Sequence, residues 1–512
     1  MAASLLKPAD RRPEGRERDR QVPSRGMLFT VFAAGIGGTL QYGLNLTTVN
    51  AATVSVQNFI NETWTERYGT QVESNFIAII WSFIVTAHFV GGLMGSLIAG
   101  PMAIKYGRRN SLLLSNIFIL VAALLMGLSK IAKSFEMIIV GRIFSGINSG
   151  VALNIHPMYL GESATKQFRG SVTLSFAPFT AAGLILGQTV GLREVLGSDE
   201  RWPLLLSSCA APALLQLMIL PWFPESPRYL LIDKGDKYLC LEAMRRFHGN
   251  IDLTDEMEEM LEEKRASEGQ KSKNLWELFR DASVRRQLII VFVLSSAIEL
   301  CGNDAMYFYT TYVLRAAGIP EKKIQYAAIG TGICEFMTSL SSKELLSQQR
   351  PRWSPNPDKR KELWSTSVEI ASPHSNPEDA LTLNKFSWMP YVSMICLFAS
   401  ILSFGIGPAG VTFLLPTEIF DQNSRPVAYM LNGSLLWINL LLVGMIFPLF
   451  VSGLGPFCCV PFICVSFLSV LFIGFFVPET KGKTLMEISQ EFQKRNFKEV
   501  GQNMLREQVK EL

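Results

Sequence analysis

Two short charged motifs recur along this chain in the same order. In the first half, "GESATKQFRG" sets Glu162 and Arg169 seven residues apart, and "PESPRY" follows with Glu225 and Arg228. In the second half, "TEIFDQNSRP" sets Glu418 and Arg425 seven apart, and "PETKGK" follows with Glu479. Glu225 stands 63 residues after Glu162, and Glu479 stands 61 after Glu418. Carboxylates and guanidiniums at helix ends can pair when two bodies close and part when they open, which is the chemistry of a conformational latch. Their simpler role is to anchor helix ends and fix orientation. Recurrence in order and at matched distance means two related halves.

The elements that must position these charges are membrane helices. The chain has 512 residues, of which 48% are hydrophobic and 18% charged. Eleven apolar runs have the roughly 18 to 25 residues needed to cross a bilayer. Six lie between residues 27 and 223, and five follow at 287–313, 324–341, 387–415, 426–452 and 456–477. The fold class expected is therefore all-α and polytopic. Residues 1–26 form a charged tail with no apolar core or cleavage site, so no signal peptide is expected. Lys and Arg crowd that tail, the loop containing Gly107, Arg108 and Arg109, and the connector at 224–286, so these are expected on the cytoplasmic side. The segment 51–75 carries only Arg67 and holds "NET", making Asn61 a candidate glycosylation site outside. The connector shows helical periodicity with charged faces in "LCLEAMRRFHG" and "DLTDEMEEMLEEKR". Cysteines such as Cys209, Cys334, Cys396 and Cys464 sit within spans without paired spacing, so neither a disulfide framework nor a metal site is expected. A formal charge of +4 is too small to suggest nucleic acid. Gly91 with Gly95, and Gly146 with Gly150, are spaced for close helix packing.

The repeat predicts a second "GRR" near position 363, flanked by apolar spans. In its place stands the Pro-rich, charged segment 341–385, including "DKRKE" at 358–362, which cannot be a membrane helix and reads as disordered. Five spans in the second half also create a parity conflict: both "TEIFDQNSRP" and "PETKGK" would then fall on the outer side. The expected division is a 1–26 tail, a six-span lobe at 27–223, the 224–286 connector, a second lobe at 287–477 carrying the insert, and a 478–512 tail.

The motifs "GRIFSGINSGVALNIHPMYLGESATKQFRG", "PESPRYLLIDKGD" and "PETKGKT" resemble the sugar porters of the major facilitator superfamily, in particular the facilitative glucose and fructose carriers of solute carrier family two. "ELCGNDAMYFY", "IQYAAIGTGICE" and "ILSFGIGPAGVT" look most like its fructose-leaning second class. The resemblance implies two six-span lobes, a hexose substrate taken between them by alternating access, no cofactor, no enzymatic activity, and a plasma-membrane protein with both termini cytoplasmic that works as a monomer. It implies a latch built from Gly107, Arg108, Arg109, Arg142, Glu162, Arg169, Glu225, Arg228, Glu418, Arg425 and Glu479.

A site for a polyhydroxylated ligand needs amides, hydroxyls and an apolar or aromatic face. Intramembrane polar residues are the candidates: Gln41, Asn45 and Gln188 in the first half, then Asn303, Asp304, Asn432 and the ring of Trp437. Departures from the family pattern bear on the substrate. Ile298 and Glu299 stand where two glutamines are usual, Asp304 and Glu335 replace asparagines, and Phe413 takes the place of a gating tryptophan. Asn45 occupies the position that is acidic in proton-driven relatives, which favours uniport, while Glu299, Asp304 and Glu335 keep proton-coupled symport as an alternative. A further alternative is a transport-deficient variant of such a carrier, because the ninth span is replaced. His88 and His156 read as packing residues.

Overall fold

Apolar length alone carries the first half across the bilayer. In the computed structural model it forms six spans at 25–51, 76–106, 108–128, 136–163, 169–190 and 202–222, each within a few residues of the run expected from hydropathy. The structure describes residues 24–70, 73–165, 168–249, 253–267, 275–280, 284–302, 321–348, 424–454 and 460–476, with a few positions at 395–402 and 419–420. Among these the chain is helical and contains no strand.

The first span is two helices, α1 (Arg25–Gly37) and α2 (Thr39–Ala51), broken at Gly38. Helix α3 (Thr53–Tyr68) continues outside the membrane, where Arg67 pairs with Glu136 at 2.6 Å. Asn61 lies on α3, half-buried, and Thr63 of the same sequon is buried. The next spans are α4 (Ser74–Tyr106), α5 (Arg108–Leu128) and α6 (Glu136–Ser163). The fifth is α7 (Arg169–Thr173) with α8 (Phe176–Val190), and the sixth is α9 (Trp202–Ser207) with α10 (Ala210–Ile219). Helices α4 and α6 cross in near backbone contact: a Cβ placed on Gly91 or Gly95 would lie 2.1 or 2.2 Å from Ile143 O or Ile147 O, and one on Gly146 would lie 2.1 Å from His88 O. The two small-residue pairs thus serve packing, as their spacing predicted.

The connector holds α11 (Lys237–His248), α12 (Thr254–Ser267) and α13 (Leu275–Arg280). Asp236 caps α11 by accepting from the amides of Tyr238 and Leu239, both at 3.0 Å. Phe247 of α11 packs into one core with Met27, Tyr159 and Leu160, which seats the connector on the inner ends of the first lobe.

In the second half the described helices are α14 (Arg285–Leu300), α15 (Glu321–Gln348), α16 (Arg425–Leu454) and α17 (Val460–Phe476). Helix α15 runs past the apolar stretch expected at 324–341 and takes the first eight residues of the polar segment with it; the rest of 341–385, including "DKRKE", lies outside the described residues. So do most of the span expected at 387–415 and the 1–23 and 478–512 tails.

The lobes meet along two helix pairs, α4 with α16 and α8 with α15. At the inner end of the first pair, a Cβ on Gly100 would lie 3.3 Å from Pro426 O. Helix α15 touches both α8, where Gly332 meets Gln188, and α7, so it runs antiparallel to them with its C-terminal end inside. Arg425 opens α16 on that same inner face. The parity conflict does not hold at Arg425: it lies 3.9 Å from Glu162, so "NSRP" stands at the same end of the molecule as "GES", as the repeat requires.

Candidate functional site: the inner charge cluster and the interlobe polar groups

Gly107 joins α4 to α5 at φ +94°, a left-handed conformation that favours glycine. The turn leaves the first amides of α5 facing the carboxylate of Glu225, whose Oε1 accepts from Arg108 N and Arg109 N, each at 2.9 Å. A carboxylate at a helix N-terminus satisfies otherwise unpaired donors and meets the positive end of the helix dipole. The Arg108 guanidinium is fully buried and grips Glu162, with Nη2 donating to Oε1 at 3.0 Å and Nε 2.9 Å from Oε2. Its Nη1 reaches Asp233 at 3.1 Å. Ser226 completes the Glu162 carboxylate by donating to Oε2 at 2.6 Å, and Tyr159 ties the same loop by donating to Pro224 O at 2.6 Å. Arg109 points elsewhere, donating to Phe223 O at 2.7 Å.

A second layer is centred on α12, where Glu259 and Glu263 lie one turn apart. Arg228 contacts both, at 3.1 Å for Glu259. Arg169, the first copy of the repeated arginine, lies 3.5 Å from Glu259. Arg425, the second copy, lies 3.7 Å from Glu263 and 3.9 Å from Glu162. Burial, with the Arg169 and Arg425 cations nearby, pushes Arg228 down to about 9. The connector helix therefore ties both halves together through the two repeated arginines.

Glu259 and Glu263, Asp233, Ser226 and Tyr159 were missed by sequence reasoning. The visible signal was the acidic i, i+4 face of "DEMEEMLEEKR", but nothing in the sequence says which arginines it meets. Arg142, expected with this latch, sits apart from it. It lies near the outer end of α6, about 30 Å along the helix from Glu162 at 1.5 Å per residue, and donates to Asn45 O at 2.9 Å. Glu418 and Glu479 lie outside the described residues.

Among the interlobe polar residues, Gln41 donates to Cys209 O at 2.6 Å and Asn45 donates to Gln41 O at 2.8 Å, so both are tied within the first lobe. Gln188 is half-buried at the α8–α15 contact, and its Oε1 has no hydrogen-bond partner. Asn432 accepts from Ser295 of α14, leaving its Nδ2 buried and unpartnered. Trp437 is fully buried between lobes, not open to a ligand face as its type suggested. Its ring lies over Gly92 and is packed edge-on by Tyr42 at 5.6 Å and His88 at 5.7 Å; its Nε1 is unpartnered. Glu299 and Glu335 are buried on α14 and α15. Asn303, Asp304 and Phe413 lie outside the described residues. His156 is a packing residue that meets Thr39 Oγ1 at 3.2 Å.

Two lobes of membrane helices, joined by a helical connector and meeting mainly through α4 with α16 and α8 with α15, define a bilobed transporter of the major facilitator type. Residues 30–350 and 368–492 match the family of sugar (and other) transporters, and the chain belongs to it. It is 49% identical over 484 residues to facilitated glucose transporter member 11 of solute carrier family 2 from Homo sapiens, covering 93% of this chain and 95% of the relative. It is 39% identical to member 5 from Rattus norvegicus, covering 92% of each, and 36% identical to member 9 from Mus musculus, covering 92% of this chain and 87% of that one. Among solved structures, the proton:xylose symporter XylE bound to 6-bromo-6-deoxy-D-glucose superposes with a TM-score of 0.75 at 20% identity, covering 92% of this chain and 100% of XylE. Inward-open XylE from E. coli gives 0.65 at 21% identity, covering 91% and 99%.

Proposed function

We propose that this chain is a facilitative carrier that moves a hexose, fructose or glucose, across the plasma membrane by alternating access. The observation that carries this reading is a pair of polar atoms with no partner among the described residues, one from each lobe: Gln188 Oε1 from the first and Asn432 Nδ2 from the second. Buried polar groups are normally paired, so unpaired donors and acceptors between two moving bodies suit a ligand carrying many hydroxyls. The relatives named as facilitated glucose transporters support the same substrate class. Glu299, Glu335, Asn303, Asp304 and Phe413 complete the proposed path.

Uniport follows from Asn45. The amide engages Gln41 O, its carbonyl accepts from Arg142, and neither group exchanges a proton at physiological pH. The inner cluster acts as the latch: with Arg425 on Glu162 and Glu263 the inner ends are held together, and inward opening requires those contacts to break. Both termini lie inside, the working unit is the monomer, and Asn61 receives an N-linked glycan before α3 packs. Labelled hexose uptake into proteoliposomes should equilibrate and stop, unchanged by a proton uncoupler. Accumulation above the external concentration that collapses with uncoupler would refute uniport.

A second reading is a chain that no longer transports. It is favoured by the break in the family match between residues 350 and 368, inside the polar segment. Uptake by the unmodified chain refutes it; uptake only after an apolar span with Gly-Arg-Arg replaces residues 341–385 supports it.

A further inference from the structure

Among the described residues four arginines are buried, and three of them have carboxylates: Arg108 has Glu162, Arg228 has Glu259, and Arg425 has Glu162 and Glu263. The fourth, Arg142, is 2% exposed inside the first lobe, and among the described residues no carboxylate lies within 4.0 Å of it. Its one hydrogen bond runs from Nη1 to Asn45 O, and its Nε is buried with no partner. A buried lysine can shed its proton, but a guanidinium stays charged, so the cost of its burial has to be met by negative charge from somewhere. One carbonyl dipole supplies little of it.

The chemistry beside Arg142 suits a small anion. The Asn45 amide carries two N–H donors, of which one is used on Gln41 O at 2.8 Å. Gln41 is itself fixed by its bond to Cys209 O, so Asn45 is held in place from below. Arg142 Nε–H and the second Asn45 N–H are then two donors on neighbouring helices, α6 and α2, with no acceptor among the described residues. We propose that Arg142 and Asn45 form a binding site for a small monovalent anion of the chloride class in the first lobe, and that this anion supplies the missing counter-charge.

The test reads binding and not sugar movement, so it stands whether or not this chain transports hexose. Thermal unfolding of the purified full-length protein is measured while chloride replaces gluconate at constant ionic strength. A ligand that binds only the folded state raises the midpoint in a saturable way, here by roughly 3 °C at ten times the dissociation constant. Asn45→Asp places a carboxylate on the residue that Arg142 already touches, so the protein should stay folded and the chloride response should vanish. Arg142→Lys, which keeps the charge, should retain a weakened response. Equal midpoints in chloride and gluconate for the unaltered protein would overturn the proposal. So would a chloride response that persists undiminished in Asn45→Asp, since the anion would then be acting elsewhere.

Discussion

The repeated arginines have different partners in the two halves of the molecule. In the first lobe, Arg108, Glu162, Ser226 and Glu225 close on one another within a single body, and Arg169 reaches Glu259 of the connector. In the second, Arg425 looks outward, to Glu162 of the first lobe and Glu263 of α12. A pair within one rigid body survives every rocking motion, so it holds structure and cannot report state. Only a pair between bodies differs between states, and only such a pair biases their equilibrium. The sequence motif is the same in both halves; the proposed latch rests on the copy whose partner is across the interface.

The sharpest way to break this contrast is Glu162→Ala. It removes the acid that Arg108 grips and one of the two that Arg425 approaches, leaving buried cations uncompensated. Breaking one partner of a buried pair costs about 3 to 5 kcal/mol, a large share of a total stability of about 5 to 15. The expected result is loss of monodisperse protein on size exclusion, or a fall of many degrees in the unfolding midpoint. Glu162→Gln should lose less, because it still accepts from Ser226.

Arg425→Gln removes a buried cation, so it should lower the unfolding midpoint, though less than Glu162→Ala, because its carboxylate contacts are long at 3.7 and 3.9 Å. It should also shift the conformational balance: each loss of about 1 kcal/mol from the closed inner ends corresponds to roughly a fivefold gain in the inward-open population. Spin labels on the exposed inner-end residues Lys105 and Arg285 should show a longer mean distance. Arg169→Gln, whose lost contact is to Glu259 of α12, should leave that distance as it was. If both variants lengthen it equally, the distinction between structural and state-dependent pairs fails. Gly107→Ala should cost about 1 to 2 kcal/mol through its positive φ alone, with more added because the new Cβ would lie 2.5 Å from Glu225 Oε2.

How much of this was legible beforehand depends on the distance over which each feature is encoded. The six spans of the first lobe, the α4–α6 glycine crossing and the helical connector follow from local length and spacing, and the sequence carries those directly. Membership of the charge cluster was half legible: the repeat marked Glu162, Arg169, Glu225 and Arg425, while the family resemblance placed Arg142 with them because a motif reveals neither depth nor facing. Glu259 and Glu263 were visible as an acidic face, but their arginine partners, Arg169, Arg228 and Arg425, come from three other segments. Trp437 looked like a ligand platform by type, but its environment of Gly92, Tyr42 and His88 is assembled from α2, α4 and α16.

The smallest expected effect concerns the seat of the connector on the first lobe. His248 closes α11 and meets Ser163 O through Nε2 at 3.0 Å, so the neutral ring must carry its proton on that nitrogen. Burial holds the imidazole below its ordinary value, only partly offset by this bond. The folded state therefore favours the neutral form, and below about pH 6.5 the unfolded state binds more protons. Stability of the α11 contact is then fully present above that pH and declines as pH falls through it, levelling once the folded protein also takes up the proton. Hydrogen exchange of the α11 amides should quicken between pH 7 and pH 5 beyond the intrinsic change in exchange chemistry. Exchange at α5, which carries no histidine, serves as the internal reference. In His248→Gln, whose amide can still donate to Ser163 O, the excess quickening should disappear; if it persists, another group controls the docking of the connector.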